Sequence, residues 1–206
     1  MAMNKFEKEI LNYLGQKNFN KIQSVKVGIA GCGGLGSNCA FNLIRSGLKK
    51  IVIVDFDIVE QKNLNRQFYF QNQVGKKKVV ALKENLLKIN PDLRITALAE
   101  KIEKENVLNV FEECDIVIEA FDKAEYKTLI AEIILSTPKL LVSASGLAGF
   151  GNSDRIKTNK LKENFILIGD LESEVTDKTP PLSPRVNIAA AKQVDSILEY
   201  IFSRNN

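Results

Sequence analysis

Residues 25–38, VKVGIAGCGGLGSN, run from a short apolar stretch into a turn with four glycines in six positions. Leu35, Cys39, Leu43 and Ile44 then recur at helical spacing. A strand, a glycine turn and a helix in that order leave few architectures open. Gly31, Gly33 and Gly36 fit the pattern G-x-G-x-x-G, with Gly34 among them. Glycines there permit a tight turn and let backbone N–H groups approach a phosphate at the helix N-terminus. Dinucleotides and ATP both lie against such turns, so the ligand must be read from residues downstream. The pattern G-x-x-x-x-G-K-[ST] is absent, which excludes a P-loop NTPase.

The strand–helix alternation continues along the chain. Phe6, Ile10, Leu11 and Leu14 predict an opening helix that Gly15 ends. KIVIVD (50–55) is a second buried strand, and a long polar and aromatic connection follows it. A helix is expected from about Lys76 to Ile89, then strand LRITALA, helix KENVLNVFEE, strand DIVIEA (115–120), a helix from about Glu125 to Leu135, and strand KLLVSAS (139–145). Strands that read as continuous apolar runs between helices predict an α/β fold, a mostly parallel sheet covered on both faces. GLAGFGNSDRIKT and NFILIGD read as a few glycine-broken, antiparallel strands, and residues 172–184 as a long polar loop. Ser183 and Pro184 then signal the start of a C-terminal helix whose apolar stripe is Val186, Ala190, Val194, Ile197 and Ile201. A single domain over 1–206 is expected: an N-terminal helix in 1–20, a nucleotide-binding core in 25–145, and an extension with a crossover loop and C-terminal helix in 146–206.

Composition removes several chemistries. The 206 residues include no histidine, so no histidine base, His metal ligand or Ser–His pair exists. Cys32, Cys39 and Cys114 form no C-x-x-C pair, and no zinc is expected. The net charge of +4 suits an anionic ligand but is too small to argue for nucleic acid. No apolar run reaches membrane-spanning length, and reduced cysteines behind an opening without an apolar h-region are expected of a cytoplasmic protein.

Asp55 closes the second strand nineteen residues past Gly36, where a carboxylate can bind ribose hydroxyls. Asn63, Arg66 and Gln67 follow in the connection leaving that strand's carboxyl end, the edge where open α/β sheets bind ligands. Lys76, Lys77 and Lys78 fall in the first turn of the next helix, where each cation loses roughly 0.3–1 kcal/mol against the helix dipole. A polyanionic ligand removes that penalty; a solvated lysine run is the plainer reading. Cationic surroundings suit phosphoryl or adenylyl chemistry better than hydride transfer. Asp122, just past the fourth strand, is a candidate magnesium ligand or simply a turn residue.

With GIAGCGGLGSN, VDFDIVEQKNLNRQFYF, VGKKKVVALKENLLKINP and IVIEAFDK in view, the chain resembles the ThiF/MoeB/HesA adenylyltransferases, relatives of ubiquitin-activating enzymes. The tail PLSPRVNIAAAKQVDSILEYIF is most similar to the compact ThiF form of thiamine biosynthesis. The resemblance implies a Rossmann-like fold and a homodimer. It also implies a reaction in which Mg-ATP adenylates the C-terminal glycine carboxylate of a ubiquitin-like sulfur carrier ending in Gly-Gly, releasing pyrophosphate. It assigns nucleotide contacts to Gly31, Gly33, Gly34, Gly36, Asp55, Asp57, Asn63, Arg66, Gln67 and Lys78. Arg66, Lys78 and Asp122 take the catalytic roles, with Asp122 on Mg2+.

The departures narrow the expectation. No cysteine lies in 146–206 to take the carrier covalently, and Cys32 and Cys39 read as small packing residues. The family's TDN after the fourth strand is FDK here. No arginine precedes Arg45, so a lysine such as Lys21 must serve where relatives reach a partner subunit's phosphates. A non-catalytic nucleotide- or carrier-binding module and an NAD-dependent oxidoreductase are the competing readings.

Overall fold

The computed structural model describes residues 3–203. Seven strands form one sheet in the order β3-β2-β1-β4-β5-β7-β6. They are β1 (Lys26–Ala30), β2 (Lys50–Val54), β3 (Arg94–Leu98), β4 (Ile116–Glu119), β5 (Leu140–Ala144), β6 (Lys157–Lys162) and β7 (Phe165–Gly169). Every neighbouring pair is parallel except β6 with β7. Of the expected antiparallel additions, only the edge strand β6 runs against the sheet. β7 continues it in parallel beside β5, because 146–156 crosses as a loop with a 3-10 turn at Ser153–Arg155 and the strand starts only at Lys157.

The helices are α1 (Lys5–Ser24), α2 (Gly34–Arg45), α3 (Lys78–Leu87), α4 (Val107–Val110), α5 (Ala124–Ile134) and α6 (Ser183–Ser203). Gly15 leaves helical geometry at φ 71°, yet α1 resumes beyond it and runs to Ser24, because Phe19 and Ile22 have a core to bury in. Asn4 caps α1 by accepting from the Glu7 amide at 2.9 Å. The expected ten-residue helix after β3 shrinks to the single turn α4. Asn106 accepts from the Glu103 amide and donates to the Lys101 carbonyl, local bonds that compete with helix. α6 starts at Ser183, whose hydroxyl accepts from Asn187 Nδ2, and its expected stripe of Val186, Ala190, Val194, Ile197 and Ile201 is buried.

Two apolar clusters explain the unbroken hydrophobic runs of the central strands. Val27, Ile29, Ile51 and Ile118 face the side covered by α1, α2, α3 and α6, while Ala30, Val52, Val54 and Val117 face α4 and α5. No helix among the described residues is long and apolar enough to cross a membrane.

The turn between β1 and α2 is built around two backbone constraints. Gly31 adopts φ 98°, closed to most side chains. A Cβ on Gly36 would stand 1.8 Å from the Gly31 carbonyl oxygen. At Gly33 the nearest atom to an added Cβ is Gln67 Nε2 at 3.8 Å. Gly36→Ala is therefore expected to cost about 3 kcal/mol or more, the upper end for overpacking, because backbone cannot step aside. Gly33→Ala should cost about 1 kcal/mol, the price of a poorer N-cap. Denaturant titration of the two variants tests this, and equal stabilities contradict it.

Candidate active site

The glycine turn, the end of β2 and the connection from 55 to 77 meet at the carboxyl edge of the sheet. Ser37 Oγ donates to the Gly33 carbonyl at 2.7 Å and accepts from the Phe68 amide at 3.0 Å. Asn38 Nδ2 donates to the Gly34 and Arg66 carbonyls at 2.7 and 2.9 Å. The Tyr69 hydroxyl donates to the Cys32 carbonyl at 2.7 Å. These bonds hold 66–69 against the turn. The aromatic residues of this stretch separate accordingly: Phe68 lies on Phe41 at 4.7 Å, Tyr69 is buried, and Phe70 is half exposed.

Asp55 sits beneath the turn. One carboxylate oxygen accepts from the Cys32 amide at 2.7 Å and the other from the Asp57 amide at 2.8 Å. Burial pushes its carboxyl up from the usual range, against the opposing pull of Lys78 and the two amides. Lys78, itself buried, donates to Asp57 Oδ2 at 2.7 Å and lies 4.0 Å from Asp55 Oδ2. The expected lysine run does not act as one surface. Lys76 pairs with Glu84, Lys77 donates to the Phe56 carbonyl, and Lys78 alone turns inward. α3 begins at Lys78, so the run straddles the helix start, and Asp57 answers the one cation buried there.

Asn63 is buried; its side-chain oxygen accepts from the Glu60 amide at 2.9 Å, and its carbonyl accepts from the Arg66 and Gln67 amides. The turn it closes presents Arg66 and Gln67 together. Arg66 Nη1 donates to Asn65 Oδ1 at 2.9 Å, and its stem lies 3.5 Å from where a Gly34 Cβ would be. Gln67 is buried with its Oε1 unpartnered among the described residues. A buried acceptor without a donor costs about 1–3 kcal/mol, which a ligand donor relieves.

Asp122 stands apart from this group, exposed on the turn after β4. That turn still borders the glycines: an added Gly31 Cβ would lie 3.0 Å from the Ala120 oxygen and 3.2 Å from the Phe121 ring. No group of three metal-ligating side chains exists among the described residues. A lone carboxylate fits a magnesium ion that takes its remaining oxygens from phosphate and water.

Two charged networks at this edge escaped the sequence reading. Glu119, fully buried, accepts from Lys127 Nζ at 3.0 and 3.1 Å, from the Phe121 amide at 2.7 Å and from the Ser143 hydroxyl. Its signal was a carboxylate inside the apolar run DIVIEA, with Lys127 eight residues on. Arg185, at the start of α6, pairs with Asp170 and donates to the Gly151 carbonyl at 2.9 Å. Nothing local in the sequence joins residues 151, 170 and 185.

Other expected roles meet the geometry differently. Lys21 is buried and donates to the Phe202 carbonyl at 2.8 Å, tying α1 to α6 rather than reaching outward. Cys32 and Cys39 are packed inside, and burial pushes both thiols well up, so neither is a nucleophile at neutral pH. Burial likewise raises Cys114, to about 11.

The ThiF family model matches residues 7–200. The SUMO-activating enzyme subunit 2 of Dictyostelium discoideum is 34% identical over 143 residues, 68% of this chain and 22% of that protein. The adenylyltransferase and sulfurtransferase UBA4 of Candida glabrata is 33% identical over 142 residues, 68% of this chain and 33% of that protein. The chain thus spans a third or less of these relatives. Among solved structures, E. coli tRNA N6-threonylcarbamoyladenosine dehydratase, TcdA, in complex with ATP, superposes with a TM-score of 0.88 at 19% identity, covering 98% of both chains. E. coli MccB with ATP gives 0.73 at 23% identity over 97% of this chain and 64% of that one.

Asp170 yields a signed expectation. Burial alone would raise its carboxyl, but the Ser173 and Glu172 amides and Arg185 outweigh it and hold the pKa at about 2. A depressed folded-state pKa stabilises the fold fully above the unfolded value of about 3.9, and the benefit is lost as pH falls toward 2. Asp170→Asn should therefore lose stability relative to wild type by a constant amount between pH 7 and 5. Unfolding free energies should converge below about pH 4, as that unfolded value requires. A gap that stays constant down to pH 2.5 rejects the assignment.

Proposed function

The chain belongs to the ThiF family, and from that premise we propose that it uses ATP to adenylate the C-terminal glycine carboxylate of a ubiquitin-like sulfur carrier protein. The observation that carries this reading is the Asp55 carboxylate joined to the Cys32 amide, with Lys78 behind it and the side chain of Gln67, its Oε1 unpartnered, next to the glycine turn at Gly33. That is a polar group set against glycine backbone at the carboxyl edge of the sheet, where open α/β sheets receive a nucleotide. The similarity to enzymes named adenylyltransferases agrees with it.

In this reading Asp55 takes the ribose hydroxyls, and the backbone of Gly31, Gly33, Gly34 and Gly36 lies along the nucleotide. Asn63, Gln67 and Asp57 shape the site, the last by holding Lys78. Arg66 and Lys78 stabilise charge on the phosphates, and Asp122 would hold Mg2+, which would supply further neutralisation of phosphate charge. A carboxylate oxygen of the carrier attacks the α-phosphorus, an acyl–adenylate bond forms, and the α–β phosphoanhydride breaks to release pyrophosphate. The attacking carboxylate is already ionised at pH 7, so no general base is required, in keeping with the absence of histidine. Positioning and electrostatic stabilisation do the catalysis. With all three thiols buried, no covalent carrier adduct is assigned to this chain. A ThiS-like carrier in thiazole synthesis is the pathway we assign, and a homodimer the working assembly.

ATP–pyrophosphate exchange with the purified chain, Mg-ATP and a panel of Gly-Gly-ending carriers tests this. Exchange should require a carrier, with the ThiS-like one most effective. Arg66→Ala should lower the rate about a hundredfold, as for loss of one transition-state donor. Exchange driven by RNA instead of a carrier would shift the substrate toward the class named for TcdA. ATP binding without exchange under any condition would leave a nucleotide-holding module.

A further inference from the structure

The amino edge of the sheet, opposite the candidate active site, has a bare corner. α5 packs on β4 and β5, and α4 is one turn long, so the starts of β2 and β3 on that face have no helix above them. Lys26, Lys50 and Arg94 open β1, β2 and β3 in register, Lys26 beside Lys50 and Lys50 beside Arg94. In-register residues of parallel neighbours point to one face, with strands about 4.8 Å apart. Thr96, two residues beyond Arg94, shares that face. These side chains line a groove of about 520 Å³, with Glu113 and Asp115 also in its wall.

The three cations are not equally satisfied. Lys26 pairs with Glu113 at 2.5 Å, and its amide donates to Asp115 at 2.8 Å. Lys50 Nζ reaches only a neutral group, the Ser24 carbonyl, at 2.9 Å. The Arg94 side chain is exposed and, among the described residues, has no hydrogen-bond or ion-pair partner. Two adjacent like charges on neighbouring strands oppose sheet formation, and bare faces are unusual on parallel sheets. An anion between Lys50 and Arg94 relieves the like-charge contact.

We propose that this groove is a second ligand site, for a compact phosphate-class dianion held between Lys50 and Arg94 with the Thr96 hydroxyl as a further donor. The guanidinium fork suits paired phosphate oxygens. The carboxylates of Glu113 and Asp115 repel an extended polyanion, which favours free phosphate or a small phosphate monoester over a nucleic acid. The groove volume falls within the range of small-molecule sites. The site is independent of the adenylation reading, since it lies a full strand length from the glycine turn.

Amide NMR of the full chain tests it. Sodium phosphate and, separately, glycerol phosphate are titrated at fixed ionic strength against sodium chloride. Amides of Ile95, Thr96 and Lys26 should shift saturably with phosphate, and Lys50→Gln/Arg94→Gln should weaken that response at least tenfold. Shifts of Gly33–Ser37 should be unchanged in the variant. Saturation with glycerol phosphate but not phosphate assigns the monoester, and the reverse assigns the free ion. A response equal to that in sodium chloride, or one unaltered in the double variant, overturns the proposal. Arg94→Gln alone, at an exposed position, provides the same comparison if the double variant does not fold.

Discussion

The Asp55 carboxylate is the joint on which this sheet edge depends. Its two oxygens bind the amide of Cys32, in the glycine turn, and the amide of Asp57, in the next connection. One buried charge thus sets the relation between the loop after β1 and the loop after β2. Carboxylates buried in this way need compensation. Lys78 supplies it from the start of α3, and Asp57 divides the lysine's charge between both acids. Shifting any of the three would move the glycine turn relative to the connection carrying Asn63, Arg66 and Gln67.

Further along the same edge, the sheet uses two more buried charge networks. Glu119 holds the Phe121 amide and so shapes the turn that displays Asp122, while Lys127 also donates to the Ala144 carbonyl at 2.9 Å. This ties the ends of β4 and β5 to the first turns of α5. Asp170 and Arg185 do the corresponding work where β7 meets α6. Breaking a buried pair typically costs about 3–5 kcal/mol, whereas a well-packed apolar replacement of both members is often tolerated. Their concentration at one edge indicates geometry as the gain, since a site that works by positioning needs loops that do not relax.

The sequence carried the parallel core well because its signals are local and redundant. Apolar runs of strand length, glycines at φ-demanding positions and a capping pattern all agree from Val25 to Ala144. The direction of β7 is not legible, because it depends on the path from β5 through β6, and 146–156 carries no helix to announce it. The helix pattern around α4 runs longer than the helix itself, because an Asx bond at Asn106 competes with it. Within the site, the residue types of the glycine turn and Asp55 were legible from spacing. The divergence of Lys76, Lys77 and Lys78 was not, since it depends on which partners tertiary structure brings to each. Lys21 shows the same limit: it lies beyond the expected end of the opening helix, and nothing local in the sequence joins it to the Phe202 carbonyl it binds.

The two edges of the sheet treat charge in opposite ways. At the carboxyl edge, cations and carboxylates are paired, and beside the glycine turn what remains unsatisfied is a neutral acceptor, Gln67 Oε1, while farther along Arg185 keeps its Nε free but has its charge answered by Asp170. At the amino edge, strand-opening cations stand in a row, and what remains unsatisfied is positive charge at Arg94. A neutral orphan among paired charges calls for a donor, and in the proposed function the phosphates fall to backbone, Arg66 and Lys78. An unpaired guanidinium in a groove calls for a counter-charge and recognises little else. The first arrangement suits a ligand that must be oriented for chemistry. The second suits a ligand that only has to bind, which is why the amino-edge groove is assigned binding without catalysis.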